Sequence, residues 1–415
     1  MTGIAVRELG LTWLDKSALD TDAPWSPDGE SGLFDVGFRW PLVTLRRSAL
    51  EHNAQIFSEY CADAGMSLAP HAKSTMMPAL WALQLEAGAW GLTAATPSQV
   101  QIQRRLGTSR ILLANELVDR GFVPWISAQL DDDPEFEFFC YVDSQAGIDV
   151  LAAGGSQRRR PISVLLEIGF DGGRTGCRDA ESALAIAEAA AATPGIALVG
   201  VSGYEGGLGA NRSDETLGLV RAFARRIRDT LEDVAARELL DPGAPERIIS
   251  AGGSSFFDVI AEEFAAPWDL DRPVRPVLRS GCYITHDHGI YSRLSPLSAR
   301  LEPAIELWAQ VLSRPEPERA LLGAGRRDVG WDQGLPTPLE WRDADGRVRG
   351  EAVEFSVTSL DDQHAYLSIP ASSDLEAGAL VRLGISHPCT TLDKWRAIPI
   401  LDDDDRVIDL ARTYF

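Results

Sequence analysis

What most restricts the fold of this sequence is an alternation, through its first two thirds, of apolar, β-branched runs with stretches of helical periodicity. Strands are predicted at 42–45, 66–70, 90–93, 110–114, 137–142, 163–168, 196–203 and 247–251. Between them, segments such as 49–57 and 217–234 place apolar residues at helical spacing, the latter with its arginines spread outward. About eight strand–helix units in roughly 250 residues is the count and length that a closed (β/α)8 barrel needs. After about position 295 the texture changes. Runs at 302–310, 350–358 and 380–385 alternate with Pro, Gly and Asp clusters, as expected of an antiparallel β domain. Segments 314–318 and 402–405 read as loops, and 1–35 as loop and short strand. The expected class is α/β, a TIM-type (β/α)8 barrel followed by a mainly antiparallel β domain.

Composition narrows the function. Lysine and arginine total 39 against 61 acidic residues, a formal charge of −22, which disfavours nucleic acid and anionic membrane surfaces as partners. The apolar stretch 183–201 is interrupted by Glu188 and by Pro194-Gly195, so it reads as a helix running into a strand rather than a membrane span. The first residues, Met1 to Glu8, show no targeting pattern, and a cytoplasmic protein is expected. Cys61, Cys140, Cys177, Cys282 and Cys389 are odd in number and widely spaced, so reduced thiols are expected and Cys389 is available as a ligand.

Several residues carry chemistry at predicted strand ends. Lys73 follows the run 66–70, where partial loss of hydration makes an amine nucleophilic toward a carbonyl; a solvated or ion-paired lysine is the plainer reading. In Gly252-Gly253-Ser254-Ser255, backbone N–H groups free of side chains suit a phosphate, and a turn before a helix with Ser254 or Ser255 as N-cap suits the same residues. Arg174, in Asp171-Gly172-Gly173-Arg174, brings a permanent charge to a tight turn, or pairs with Asp171 or Glu167. Tyr204 stacks on a ligand or is half-buried core. His387 and Cys389 lie two apart, so in an extended segment both project to one side and suit zinc with open positions, or else belong to an ordinary loop.

Taken in order, these segments resemble the D-serine dehydratase and D-threonine aldolase family of the alanine racemase-like fold. The matching motifs are Pro70-His71-Ala72-Lys73, Glu167-Ile168-Gly169 with Gly173-Arg174-Thr175-Gly176, and Ser202-Gly203-Tyr204-Glu205-Gly206. They continue with Ser250-Ala251-Gly252-Gly253-Ser254, Arg279-Ser280-Gly281-Cys282-Tyr283 and His387-Pro388-Cys389. The resemblance implies a barrel over 36–294 that binds pyridoxal 5′-phosphate (PLP) and a β domain formed by 1–35 with 295–415. It implies PLP on Lys73 with His71, Arg174 and Tyr204 around it, and its phosphate at Gly252, Gly253 and Ser254 with Gly281, Cys282 and Tyr283. It also implies a divalent metal on His387 and Cys389; the thiolate favours zinc and the dehydratase side of the family. The expected reaction converts a β-hydroxy D-amino acid to a 2-oxo acid and ammonia, with Lys73 taking the Cα proton and the metal aiding departure of the hydroxyl. A D-threonine aldolase-like carbon–carbon lyase or a D-amino acid racemase is the alternative. A non-catalytic PLP carrier is disfavoured because such carriers lack the β domain. A homodimer is expected by analogy. The chain departs from the family pattern at Ala69, at Met77 and after Glu205-Gly206, where Gly207 replaces the histidine often seen, and His364 matches a family histidine only loosely.

Overall fold

The computed structural model describes residues 12, 15–17, 25–153 and 159–415. Much of the segment 1–35 therefore lies outside the described residues. Two compact units are present: Phe57–Lys73 with Gln84–Gly281, and Ser74–Leu83 with Cys282–Phe415 and the described residues up to Ile56. In chain order the elements begin β1 (Leu42–Arg46), α1 (Arg47–Asp63), β2 (Ser67–Leu68), α2 (Pro78–Glu86), β3 (Leu92–Ala94), α3 (Pro97–Arg105), β4 (Arg110–Glu116) and α4 (Phe122–Asp132). They continue with β5 (Glu137–Val142), α5 (Gln145–Ala152), β6 (Ile162–Ile168), α6 (Ala180–Ala191), β7 (Ile196–Gly203), α7 (Asp214–Ala236), β8 (Arg247–Ala251), α8 (Phe257–Phe264) and β9 (Val274–Leu278).

The first unit holds an all-parallel sheet in the order β2-β9-β8-β7-β6-β5-β4-β3. Its two ends meet: the Trp90 and Thr93 amides donate to Leu68 and Pro70 carbonyls, and His71 bridges Thr93 in parallel. The sheet is thus a closed barrel, filled by alternate residues such as Leu112, Phe139 and Tyr141, Leu165, Ala197 and Val199, Ile248 and Val277. Helix α7 shows why the intervening segments are helical. Ser213 caps it through Thr216, Asp214 and Glu215 fill its first turn, and Val220, Phe223, Ile227, Leu231 and Val234 form the buried stripe.

Eight strands are found, but not the predicted eight. β1 is not in the barrel: it pairs antiparallel with the strand at Ile305–Glu316 and parallel with the one at Ala397–Leu401. The eighth barrel strand is β9, whose sequence Val-Arg-Pro-Val-Leu hides its pattern behind Arg275 and Pro276.

The second unit adds α9 (Ile290–Leu294), β10 (Ile305–Glu316), β11 (Arg319–Leu322), β12 (Thr337–Arg342), β13 (Val348–Glu351), β14 (Ser356–Leu360) and β15 (Ala365–Ser368). It ends with β16 (Leu380–Gly384), α10 (Cys389–Leu392), β17 (Ala397–Leu401) and β18 (Val407–Arg412). The main sheet runs β13-β12-β16-β10-β1-β17-β18, with β11, β15 and β14 extending from β10. All pairs but β1–β17 are antiparallel. Strand β10 carries through Arg314 to Glu316, a stretch predicted as loop, because a bulge between Ser313 and Glu316 in its pairing with β11 absorbs Pro315. The run 350–358 divides between β13 and β14. Among the described residues no helix is long and apolar enough to cross a membrane.

Candidate active site

The carboxyl ends of the barrel strands enclose a cavity of about 380 Å³. Its wall includes His71 and Lys73 after β2, Tyr141 of β5, Glu167 of β6, Arg174, Tyr204 after β7, Gly253 after β8 and Arg279 after β9. Lys73 lies in a short 3₁₀ turn, Ala72–Ser74, and its side chain remains solvent-accessible. His71 beside it is neutral: burial, then the positive charges of Lys73 and Arg279, hold its pKa well below the usual histidine range. Its Nδ1 is buried without a hydrogen-bond partner.

Arg174 is carried on a loop folded back against β6. Gly169 N–H donates to Cys177 O, Cys177 N–H to Glu167 O, and Gly176 N–H to Asp143 Oδ2. A Cβ at Gly169 would lie 2.0 Å from Thr175 O, so this fold-back requires glycine. Arg178 then braces the loop by donating to the Thr175 and Arg174 carbonyls. Arg174 comes to rest 4.1 Å from the centroid of the Tyr204 ring, the contact recorded for its guanidinium among the described residues.

The glycine pair behaves differently from the phosphate cradle expected of it. The fully buried Glu205 accepts Gly252 N–H at 3.1 Å and Gly253 N–H at 2.6 Å, so a carboxyl group of the chain itself holds both amides. Gly253 faces the cavity; Gly252, Ser254, Gly281, Cys282 and Tyr283 are not among the residues that line it. Neither serine caps α8, whose first residue is preceded by Phe256 without a side-chain cap.

Arg279 was not singled out from the sequence. It is buried, donating to Ser250 Oγ at 2.6 Å, Ser202 Oγ at 3.3 Å and Gly203 O at 2.7 Å, which ties β7, β8 and β9 together at the cavity. In the sequence it stands directly after an apolar run, at the head of Arg279-Ser280-Gly281-Cys282-Tyr283, where only the last three residues were given a role. Nearby, one oxygen from each of Glu116, Asp143 and Glu167 comes within 4.8 Å of the others. Burial and then Glu167 push Glu116 up to about 9, so its carboxyl is protonated at neutral pH.

In the second unit, His387 and Cys389 do come together, though not in the extended geometry expected. Pro388 is αR and Cys389 opens α10, so the two lie on a tight bend. His387 and Cys389 lie close enough for each to shift the other's pKa, and His387 Nδ1 meets Asp332 Oδ2 at 2.8 Å. Asp332 is fixed in turn by Thr390 Oγ1 at 2.6 Å. Burial pulls the His387 pKa down, but Cys389 and Asp332 outweigh it and raise it to about 9. Cys389 is held well below the usual thiol range by its bond from Cys282 and by His387. Among the described residues no third His, Cys, Asp or Glu completes a mutually close ligand set with His387 and Cys389. Asp332 lies 55 residues before His387, with no pattern linking them.

Residues 45–254 match the family model described as alanine racemase, N-terminal domain, and 304–401 match the putative serine dehydratase domain. The chain belongs to the alanine racemase-like family of enzymes, in the branch that carries the dehydratase-type β domain. It is 25% identical over 366 residues to the D-threonine aldolase of an Arthrobacter species, covering 88% of this chain and 89% of that one. It is 23% identical over 390 residues to the D-threo-3-hydroxyaspartate dehydratase of Delftia sp. strain HT23, covering 88% and 95%. The D-threonine aldolase structure from Filomicrobium marinum superimposes with a TM-score of 0.76 at 22% identity, covering 95% of this chain and 98% of that one. The Delftia dehydratase superimposes with a TM-score of 0.73 and is also solved as a cysteine-to-alanine mutant in a metal-free form.

Proposed function

We propose that this chain is a PLP- and zinc-dependent lyase that converts a β-hydroxy D-amino acid to a 2-oxo acid and ammonia. One observation carries the reading: a barrel-mouth lysine lines a cavity with a neutral histidine and an arginine-stacked tyrosine, in a chain whose β domain pairs a histidine with a cysteine. The cavity volume falls within the range of small-ligand sites, and the unpartnered Nδ1 of His71 is a buried polar atom suited to a bound group. The aldehyde end of PLP fits Lys73. Its phosphate does not fit the Gly252 and Gly253 amides, which Glu205 already occupies. His387, oriented by Asp332, and Cys389 fit zinc with open positions, the carboxylate on Nδ1 being the usual partner of a ligating imidazole.

When bound, PLP withdraws electrons from the substrate Cα, and zinc supplies Lewis acidity to the β-hydroxyl. The residues of the chain do the rest. Lys73 supplies the amine that anchors the aldehyde, and its Nζ is the group we assign to accept the Cα proton. His71, being neutral, adds no second cation beside that amine. Arg174 over Tyr204 gives the cavity wall a fixed positive charge on an aromatic face.

The test is direct. With PLP and zinc, D-serine should yield pyruvate and ammonia, and Lys73→Ala should lose both turnover and the visible absorption band of the bound cofactor while keeping its far-UV spectrum. D-Threonine cleaved to glycine and acetaldehyde, without keto acid, would assign the aldolase reaction instead. An unchanged band in the variant would remove Lys73 from the anchoring role.

A further inference from the structure

Cys282 lies in the 3₁₀ turn Cys282–Ile284 and is 2% exposed; Cys389 opens α10 and is only partly buried. Their sulfurs are 3.2 Å apart although 107 residues separate them in the chain. Cys282 also contacts Ser74 Oγ at 3.3 Å, which leaves its sulfur aimed at Cys389 from the buried side. A disulfide needs S–S of about 2.05 Å, so closure asks for an approach of roughly 1.2 Å. Helix α10 is four residues long, a small element to shift by that amount. The other thiols are placed differently. Burial pushes Cys61 and Cys177 up to about 12, and Cys140 is buried inside β5.

We propose that Cys282 and Cys389 form a modification site, a vicinal-in-space dithiol that peroxide closes to a disulfide. The sulfur of Cys389, the less buried of the two residues, attacks one peroxide oxygen; the O–O bond breaks, and the departing hydroxide takes up one proton from solvent and leaves as water. The Cys389 sulfenic acid is then attacked by Cys282 sulfur; the S–S bond forms, the S–O bond breaks, and the hydroxyl leaves with the Cys282 proton as a second water. Two thiols are oxidised by two electrons in total and one peroxide is reduced. Where Cys389 is a zinc ligand, as the functional reading above holds, the same bond removes the thiolate from the metal.

The reduced full-length protein, free of metal, is treated with equimolar hydrogen peroxide and its thiols are counted after denaturation. The five thiols should fall to three, with a 282–389 cross-linked peptide in the digest and recovery of all five on addition of dithiothreitol. Cys282→Ser, checked for native circular dichroism, should lose only one thiol, and dimedone should label Cys389. Retention of five thiols, a disulfide between any other pair, or Cys389 oxidised alone in the wild type would overturn the proposal. Zinc titration separates it from the functional reading. The disulfide form should bind zinc at least tenfold more weakly on the order of a lost ligand shell. Cross-linking with unchanged zinc affinity leaves the dithiol standing and removes Cys389 from the metal.

Discussion

Glu205 shows how one buried carboxyl can fix the shape of a cavity wall. Its two oxygens accept the amides of Gly252 and Gly253, and Gly252 has φ +88°, a conformation that a side chain would resist. The adjacent Gly206 is equally constrained, since a Cβ there would lie 2.2 Å from Tyr204 Oη. Glu205→Gln keeps the size but replaces one acceptor by an NH₂ group that faces an N–H. A buried donor left unpaired costs about 1–3 kcal/mol. At an unfolding entropy of about 2.1 cal/mol/K per residue, a chain of this length shifts by roughly 1 °C per kcal/mol, so the melting temperature should fall by about 1–3 °C. Calorimetry of wild type and variant at neutral pH checks it, and an unchanged midpoint would mean that the turn holds without the carboxyl.

At the scale of elements, Asp405 in the β17–β18 turn joins three segments of the β sheet. It receives Arg46 of β1 at 2.7 Å and Arg342 of β12 at 2.8 Å, while its carbonyl accepts Leu33 N–H. Burial pushes its pKa up, but Arg46 and then Arg342 outweigh burial and lower it below the ordinary 3.8. A carboxylate depressed in the folded state contributes stability that is present above the unfolded value and is lost as pH falls through the folded one. Asp405 has φ +58°, which asparagine tolerates, so Asp405→Asn isolates the charge. The variant should lose about 1–3 kcal/mol at pH 7, toward the lower end because the carboxylate is partly open to solvent. In urea unfolding the difference should shrink progressively as pH falls below 3.8; a gap that stays constant into acid would refute the electrostatic origin. Such links are invisible in the sequence, and so was the membership of β1. Its run Leu-Val-Thr-Leu is apolar on both faces, the same pattern as a parallel barrel strand, and nothing local says which sheet will claim it. β5, β7 and β8 were legible to the residue because their apolar runs end in turn residues. The positions of Lys73, Arg174 and Tyr204 on one cavity followed from their places at strand ends, whereas Asp332, 55 residues from His387, left no local signal, and Glu205 and Arg279 stood only inside motifs, their roles being set by partners 47 and 29 residues away.

At the scale of the whole molecule, neither compact unit is a continuous stretch of chain. Ser74–Leu83 belongs with the β unit although it is flanked on both sides by barrel sequence, and β1 lies at the middle of the β sheet although it precedes the barrel. Met76, Met77, Leu80 and Trp81 in that excursion are all at most 1% exposed, and Met76 O accepts the amide of Tyr414 near the chain end. Burying each such side chain is worth about 1.5–3 kcal/mol. Their sum is comparable with the roughly 5–15 kcal/mol by which a whole domain is stable. A chain cut to 57–281 keeps every barrel strand yet strips those four side chains of their own unit. It should therefore melt broadly and bind an apolar dye such as anilinonaphthalene sulfonate, where the full chain melts sharply and does not. A single sharp transition without dye binding in that fragment would show that the barrel strands suffice by themselves, and that the 74–83 excursion contributes little to holding the molecule together.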